Sequence, residues 1–259
     1  MIRRCSLAVG VATGLVLLSA ARASAAPEEI QVYEDDLDKP GQFGLDVHSN
    51  YVVSGYAPQQ YPGQQPSAGT FRLTPEWSYG VTPNVELGLY LPLTTLHDGK
   101  YDFDGEKFRI KFIAPRPSSQ SWYWGVNFEI GYVDKLLDIN PWNAELKSIV
   151  GWRSGPWDLA FNTNVDWAVA GPDRQPATVQ LATKLSYKVA GPWAVGIESY
   201  DGAGDFRHFG EFAGSGHDLY LTADGSIGLW NLNLGIGHGY SGDPDKWILK
   251  MIVGVPIDD

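Results

Sequence analysis

The sequence has little cysteine, few basic residues and only one long apolar run. Its single cysteine is Cys5, and beyond residue 25 no stretch approaches the roughly 18 apolar residues of a membrane-spanning helix. Removal of the first 25 residues would leave no cysteine for a disulfide, a thiolate metal site or a nucleophile. It would leave 16 basic against 30 acidic residues, a net charge near −14, because three of the 19 basic residues lie in the removed part. That balance argues against nucleic acid as a partner.

The N-terminus has the layout of a secretory signal peptide. Arg3 and Arg4 form a basic start, an apolar stretch follows at 5–20, and residues 23–25 supply a small-x-small cleavage pattern. A transmembrane anchor is the alternative, but the apolar run is short and ends in a cleavable site. We therefore predict a signal peptide over 1–25.

An acidic segment without sustained alternation follows at 26–41, reading EEIQVYEDDLDKPG from residue 28. We interpret it as a periplasmic lead-in to the folded part of the chain. The sequence leaves two alternatives open. The segment is either a solvated tail, which is the more ordinary interpretation, or a stretch that folds back into the mouth of a barrel.

From residue 42 the pattern changes to a strict alternation of apolar and polar residues in twelve segments. At 71–79, for example, the odd positions read Phe-Leu-Pro-Trp-Tyr and the even positions Arg-Thr-Glu-Ser. Alternation over about ten residues is typical of a strand with one apolar and one polar face. We predict an all-β fold for 42–257, a transmembrane antiparallel up-and-down β-barrel of twelve strands. A soluble β-sandwich is the alternative.

The connections and the aromatic residues favour the membrane barrel. Short turns, one of them near 115–119, alternate strictly with longer polar links, among them 94–107 and 201–217. Outer-membrane barrels have short periplasmic turns and longer extracellular loops. Trp and Tyr residues adjoin both kinds of connection, as expected for two interfacial girdles. We therefore predict an outer-membrane location with both ends of the barrel sequence in the periplasm.

The polar face of each strand would line the barrel lumen. The twelve lumen-lining candidates are Asp46, His48, Arg72, Glu76, Glu86, Arg109, Lys111, Glu129, Glu145, Lys147, Asp166 and Lys184. Inward acidic and basic residues are nearly balanced, so no strong ion selectivity is expected. Arg109 and Lys111 would lie beside Glu86 and Glu129 on adjacent strands, and such cross-strand pairs can close a narrow lumen. The lumen is therefore either a salt-bridged, mostly filled interior or a narrow polar channel.

Catalytic and metal sites have weaker support. The run at 48–50, His-Ser-Asn, invites comparison with the His/Ser/Asn site of outer-membrane phospholipase A, another twelve-strand barrel. Alternation places Ser49 on the opposite face from its two neighbours, so the three cannot form one relay in a regular strand. His97, His208 and His217 fall in predicted external loops and match no defined metal site, so we interpret them as solvated. We predict no catalytic residue, cofactor or metal.

Several stretches resemble a known family. The start EIQVYEDD, the stretch LTPEWSYGVTPNVELGLYLPL and the closing WILKMIVGVP are similar to a proteobacterial outer-membrane β-barrel family. That family is distantly similar to barrels encoded with aromatic (phenol meta-pathway) degradation genes. The resemblance spans the mature chain and implies a barrel and solute uptake.

The expected function follows from the polar wall and the resemblance. We expect a narrow channel or binding barrel for small solutes, hydrophobic molecules among them. The expected partners are outer-membrane lipid, the outer-membrane assembly machinery and an unidentified solute, and not nucleic acid. The alternatives are a non-conducting structural or surface-interaction barrel and, less favoured, an outer-membrane lipid hydrolase.

Overall fold

The computed structural model describes residues 29–55, 59, 61–95, 99–210, 212, 215–243 and 245–257. The predicted signal peptide and His97 lie outside these residues. No helix in the described part of the chain is long and apolar enough to cross a membrane. The described strands are β1 (Phe43–Gly55), β2 (Phe71–Thr82), β3 (Val85–Tyr90), β4 (Leu93–Thr95), β5 (Tyr101–Phe103), β6 (Gly105–Ile113), β7 (Trp122–Val133), β8 (Trp142–Ser154), β9 (Trp157–Ala170), β10 (Thr178–Ala190), β11 (Trp193–Asp205), β12 (Gly216–Ile227), β13 (Trp230–Ser241) and β14 (Asp245–Gly254).

These strands form one closed antiparallel barrel. Each strand from β6 to β14 pairs with its neighbour in the chain, and β1 pairs with both β2 and β14, which closes the sheet. Two of the barrel strands are each made of two short pieces. β3 and β4 both pair with β2 and form one barrel strand, and β5 and β6, which pair with β4 and β3, form the next. The barrel therefore has twelve strands, as predicted.

A proline accounts for the one divided hairpin. Pro92 separates β3 from β4 and has no backbone N–H to donate to a ladder. The chain compensates locally, since the Leu91 N–H bonds to the Pro75 carbonyl (3.0 Å) and the Asp104 N–H bonds to the Pro92 carbonyl (2.9 Å). The strand pair continues beyond this irregularity in β4 and β5.

The two faces of the barrel differ as the alternation predicts. In β7, Trp124 and Val126 are exposed, whereas Tyr123, Asn127 and Glu129 are buried. The outer face is consequently apolar and the inner face is largely polar, an arrangement that a closed barrel in a membrane requires. Exposed aromatic residues lie at both strand ends, for example Trp152, Trp157 and Trp230 beside the short turns and Trp142, Tyr240 and Trp247 beside the loops.

The predicted lengths of the connections were partly wrong. The turn at 114–121 has more residues than the loops at 96–100 and 242–244, so short and long connections do not strictly alternate. The predicted links 94–107 and 201–217 are partly strand, because β4, β5, β6 and β11 extend into them. Polar residues at a strand end look like a loop in the sequence, but they can still pair across the sheet beyond the apolar band.

Candidate functional site in the barrel lumen

The structure places the twelve predicted lumen candidates on the inward face of the strands. Nine of them are buried, while Asp46, Glu145 and Asp166 are partly exposed. Cross-strand register brings together Asp46 and Glu76 of β1 and β2, and Glu145 and Asp166 of β8 and β9. Lys147 forms an ion pair with Glu145 at 3.1 Å.

A compact charge network occupies the wall of the first strands. Arg109 of β6 forms ion pairs with Glu76 of β2 and, at 2.8 Å, with Glu86 of β3. Glu76 also contacts His48, with 2.9 Å between Oε2 and Nε2. The predicted pairing of Arg109 with Glu86 is therefore present. Glu129 instead accepts hydrogen bonds from Asn127 (2.8 Å) and, across the lumen, from Tyr33 (3.2 Å).

The most prominent feature of the lumen is the acidic segment itself. We call residues 29–41 the inner segment, because its residues Ile30, Val32 and Tyr33 are each only 3% exposed. The segment therefore lies inside the barrel, and the interpretation as a solvated tail does not fit this burial. It folds back into the lumen because its apolar side chains and its carboxylates both find partners there.

The inner segment enters the lumen beside the start of β1. The Gly41 N–H bonds to the Gly80 carbonyl (2.7 Å), and the Gly80 N–H bonds to the Gln42 carbonyl (3.0 Å). A Cβ on Gly80 would lie 2.3 Å from the Lys39 carbonyl oxygen, so only glycine allows the segment this close to β2. Because Gly80 adjoins the β2–β3 turn, the segment enters from the turn end of the barrel.

Deeper in the lumen, one wall side chain holds the backbone of the segment. The Tyr33 N–H donates to Asn162 Oδ1 (2.7 Å), and Asn162 Nδ2 donates to the Tyr33 carbonyl (3.0 Å). The Tyr33 hydroxyl is hydrogen-bonded to that of Tyr90. The Lys147 ammonium lies 3.9 Å from the centre of the Tyr33 ring, a cation–π contact.

Apolar contacts complete the packing around the inner segment. Ile30 and Val32 belong to a buried cluster whose wall members are Val52, Ala160, Ala182, Tyr200, Tyr220 and Ile248. Tyr33 packs in a second cluster with Ile113, Tyr123 and Ile149, against which Leu37 is partly buried. The Lys250 ammonium donates to the Ile30 carbonyl (3.1 Å) and pairs with Glu198. These contacts hold the segment across the lumen rather than at its rim.

The carboxylates of the inner segment meet basic wall residues. Glu34 contacts Arg153 (2.9 Å) and Lys184 (2.8 Å). Asp35 contacts the same Arg153 and also Arg116 at 2.5 Å. Two consecutive acidic residues thus bridge basic side chains from three places on the wall.

A polar cavity remains beside the segment. Its volume is about 210 Å³, and Asp36, Glu86, Arg109, Lys111 and Asn231 are among its lining residues. This volume has room for several water molecules but is small compared with the pocket of about 300–1,000 Å³ that a drug-sized ligand needs. On this side of the inner segment, the lumen therefore has no space for a ligand of that size among the described residues.

At the opposite end of the barrel, the loop at 61–70 packs against neighbouring strands and loops. The Gln65 N–H donates to the Leu136 carbonyl (2.9 Å), and its side-chain amide donates to the Thr95 carbonyl (3.0 Å). Gln65 is buried although it belongs to a loop. The loop therefore lies over part of the barrel mouth.

Two further bonds hold this loop at its ends. The Tyr61 hydroxyl donates to the Lys135 carbonyl (2.8 Å), and burial raises the pKa of Tyr61 to about 12. The Ser67 hydroxyl is hydrogen-bonded to Asp245 of β14. The loop is thus held to the strands and loops around it.

The predicted histidines have different surroundings. His217 lies in β12 and is buried, with Nδ1 at 2.7 Å from Asp201 and Nε2 at 2.8 Å from the Phe212 carbonyl. Its interpretation as a solvated loop residue was wrong, because β12 begins earlier than the alternation suggested. His208 is exposed in a loop. Among the described residues, no group of three or more His, Cys, Asp or Glu side chains is arranged to hold a metal ion.

Sequence reasoning found some of the residues that receive the inner segment, such as Lys147 and Lys184, and missed others. Asn162, Tyr90 and Arg116 were not among the candidates, and Tyr33 lay in the lead-in. The available signal was the charge pattern, since an acidic segment precedes a barrel with basic residues on its inward face. That pattern could indicate an interaction but could not identify the partners.

No protein-family model matches the chain, and no curated protein matches it. Solved barrel structures do match. An outer membrane channel from Pseudomonas putida F1 superposes with a TM-score of 0.60 at 13% identity, covering 87% of this chain and 99% of that chain. The KdgM porin, in complex with disordered oligogalacturonate, gives 0.56 at 7% identity, covering 83% and 99%. The NanC porin gives 0.52 at 8% identity, covering 81% and 97%.

This chain has the fold of an outer-membrane β-barrel. The superpositions cover more than four fifths of it and nearly all of each matched structure. The predicted fold class is confirmed. Sequence identities this low show a common architecture, so the function rests on the lumen described above.

Proposed function

We propose that this protein is an outer-membrane channel for small solutes whose lumen is closed by the inner segment. The observation that carries the proposal is the contrast between the barrel wall and the inner segment. A closed polar wall surrounds a segment that continues into β1 and is held mainly by contacts with wall side chains. Such a segment can leave without breaking the barrel, because the strand ladders do not include it.

The geometry supports a gated channel better than an open pore. Twelve strands enclose a lumen wide enough for side chains and a small passage, and here the inner segment takes most of that space. The orientation follows from the general architecture of such barrels, in which the short turns face the periplasm. The inner segment would then close the channel from the periplasmic side.

The test is single-channel conductance of the refolded mature protein in a planar bilayer. The unmodified chain should conduct little, whereas replacement of residues 29–38 by a Gly/Ser stretch of equal length should give discrete and larger current steps. An equal replacement of the loop at 171–177 is the control and should leave the conductance low. Heat-dependent gel mobility would verify that each variant has folded.

A folded, inserted and silent segment-replaced variant would contradict the channel proposal. The non-conducting structural barrel would then be favoured. Small hydrophobic solutes, which the resemblance to barrels encoded with aromatic-degradation genes suggests, stay a prediction. Release of fatty acid from phospholipid by the purified protein would support the lipid-hydrolase alternative.

A further inference from the structure

Four basic wall residues share the carboxylates of the inner segment. We call Lys111, Arg116, Arg153 and Lys184 the basic arc. Besides the contacts of Glu34 and Asp35 described above, Lys111 lies 3.6 Å from Asp36. The arc is therefore formed by residues of β6, the 114–121 turn, β8 and β10, and three consecutive acidic residues are its partners.

The wall alone does not neutralise the basic arc. Arg153 also pairs with Asp158, and Lys184 also pairs with Asp224 at 3.1 Å. Glu86 and Glu198 lie opposite Lys111 and Lys184 in the strand register, but they form ion pairs with Arg109 and Lys250. Among the described residues, Asp158 and Asp224 are therefore the wall carboxylates within ion-pair distance of the four cations, and the inner segment supplies three more. Departure of the segment without replacement would leave cations uncompensated in a partly buried site, which is strongly unfavourable.

The arc is also preorganised by an aromatic ring. The guanidinium groups of Arg153 and Arg116 lie 4.9 and 5.4 Å from the centre of the buried Tyr123 ring. A planar guanidinium binds a carboxylate through two parallel hydrogen bonds, and stacking on a ring limits its rotation. The two arginines are therefore held in place for carboxylate ligands whether or not the inner segment supplies them.

We infer that the basic arc is a binding site for solutes carrying two or more carboxylates, and that such a solute displaces the inner segment by competing for the arc. The inference rests on the proposed channel function and names its solute class. The segment acts as an internal carboxylate ligand. A polycarboxylate replaces its charge and so removes the cost of leaving the cations unpaired.

The first point of exchange is the pair of Lys111 and Asp36. Their separation is the longest among the ion pairs of the inner segment. The Asp36 side chain is 75% exposed, and both residues line the 210 Å³ cavity. A carboxylate entering this cavity reaches Lys111 before it reaches the more enclosed contacts of Glu34 and Asp35.

The test uses the full mature chain with a neutral inner segment, Glu34→Gln/Asp35→Asn/Asp36→Asn. Citrate is the probe, and its binding is measured by calorimetry at constant ionic strength. The neutral-segment variant should bind citrate at least tenfold more tightly than the unmodified chain. Adding Arg153→Gln to that variant should weaken binding at least tenfold, whereas adding Arg174→Gln, an exposed arginine of the 171–177 loop, should not.

Conductance of the same variants separates the two proposals. Current steps that citrate blocks, with the block relieved by Arg153→Gln, support both. Current steps with no citrate binding, or with binding equal to that of sulfate, overturn the carboxylate site and leave the channel standing. Citrate binding to a silent barrel overturns the channel alone. If Arg153→Gln fails to fold by gel mobility, Lys184→Gln replaces it, with exposed Lys246→Gln as its control.

Discussion

At the scale of single residues, Tyr33 is the best-anchored part of the inner segment. Its backbone is bonded on both sides to one asparagine, its hydroxyl reaches Tyr90 and Glu129, and Lys147 lies against its ring. Buried backbone groups need partners, and here the partners come from a side chain instead of a strand. The position of the whole segment therefore depends strongly on Asn162.

We predict that Asn162→Ala loosens the inner segment without opening the barrel. The substitution leaves the Tyr33 N–H and carbonyl unpaired, and an unsatisfied buried polar group costs about 1–3 kcal/mol. Hydrogen exchange of the 29–41 peptide, followed by mass spectrometry, should become faster, while the strand peptides keep their protection. Thr163→Ala, which alters the next residue on the opposite face of β9, should leave the exchange of 29–41 unchanged. Unchanged exchange in the Asn162 variant would show that the two hydrogen bonds between Asn162 and the Tyr33 backbone do not hold the segment.

At the scale of secondary-structure elements, the strands could be predicted, whereas folding of the inner segment into the barrel was only one of two alternatives that the sequence left open. A strand such as β8 repeats one rule over its whole length, because lipid and lumen impose opposite polarity on alternate residues. The inner segment has no repeat. Its apolar residues Ile30 and Val32 pack with Ala160 and Tyr200, among others, and Glu34 pairs with Arg153 and Lys184, all more than 100 positions away. No local pattern encodes those partners.

The presence or absence of a repeating pattern also explains why the bounds of some connections were predicted wrongly. Alternation is strongest where one face meets lipid and fades beyond the apolar band. The paired ends of β5 and β11 therefore looked like loops, and His217 looked solvated. The polar wall residues followed from the period of two, whereas contacts across the lumen, such as that of Glu129 with Tyr33, depend on closure of the barrel and on the segment inside it.

For the loop at 61–70, we predict that Gln65→Ala weakens its packing over the barrel mouth. The substitution removes the side-chain hydrogen bond to the Thr95 carbonyl and leaves that acceptor to water. Trypsin has no site in this loop, so thermolysin cleavage is the measurement, and cleavage within 61–70 should accelerate several-fold. Gln175→Ala in the 171–177 loop, whose side chain donates to the nearby Asp173 side chain (2.7 Å), is the matched control. Equal cleavage rates in both variants would mean that Gln65 does not hold the loop.

At the scale of the whole molecule, closure of the sheet leaves apolar side chains in contact with the surroundings and polar ones inside. A soluble β-sandwich buries its apolar face, and the lumen side of this barrel is instead filled by charged networks and by the chain's own N-terminal region. Closure of the strand ladder pairs the strand edges, so the apolar outer face can lie against hydrocarbon while the ion pairs stay inside. The outer and inner faces therefore depend on each other.

This dependence predicts a large difference between two leucine substitutions. Leu146 is exposed in the middle of β8, paired with Phe128 and Val165, whereas Leu229 is exposed in the 228–229 turn. An arginine at the bilayer midplane costs about 2–4 kcal/mol and near the interface about 0–1 kcal/mol. Leu146→Arg should therefore lower the free energy of unfolding in lipid vesicles, measured by urea titration of tryptophan fluorescence, by several times more than Leu229→Arg. In detergent-free buffer the two proteins should both aggregate. Equal losses in vesicles would show that β8 does not face the hydrocarbon, and the membrane assignment of the outer face would fall with it.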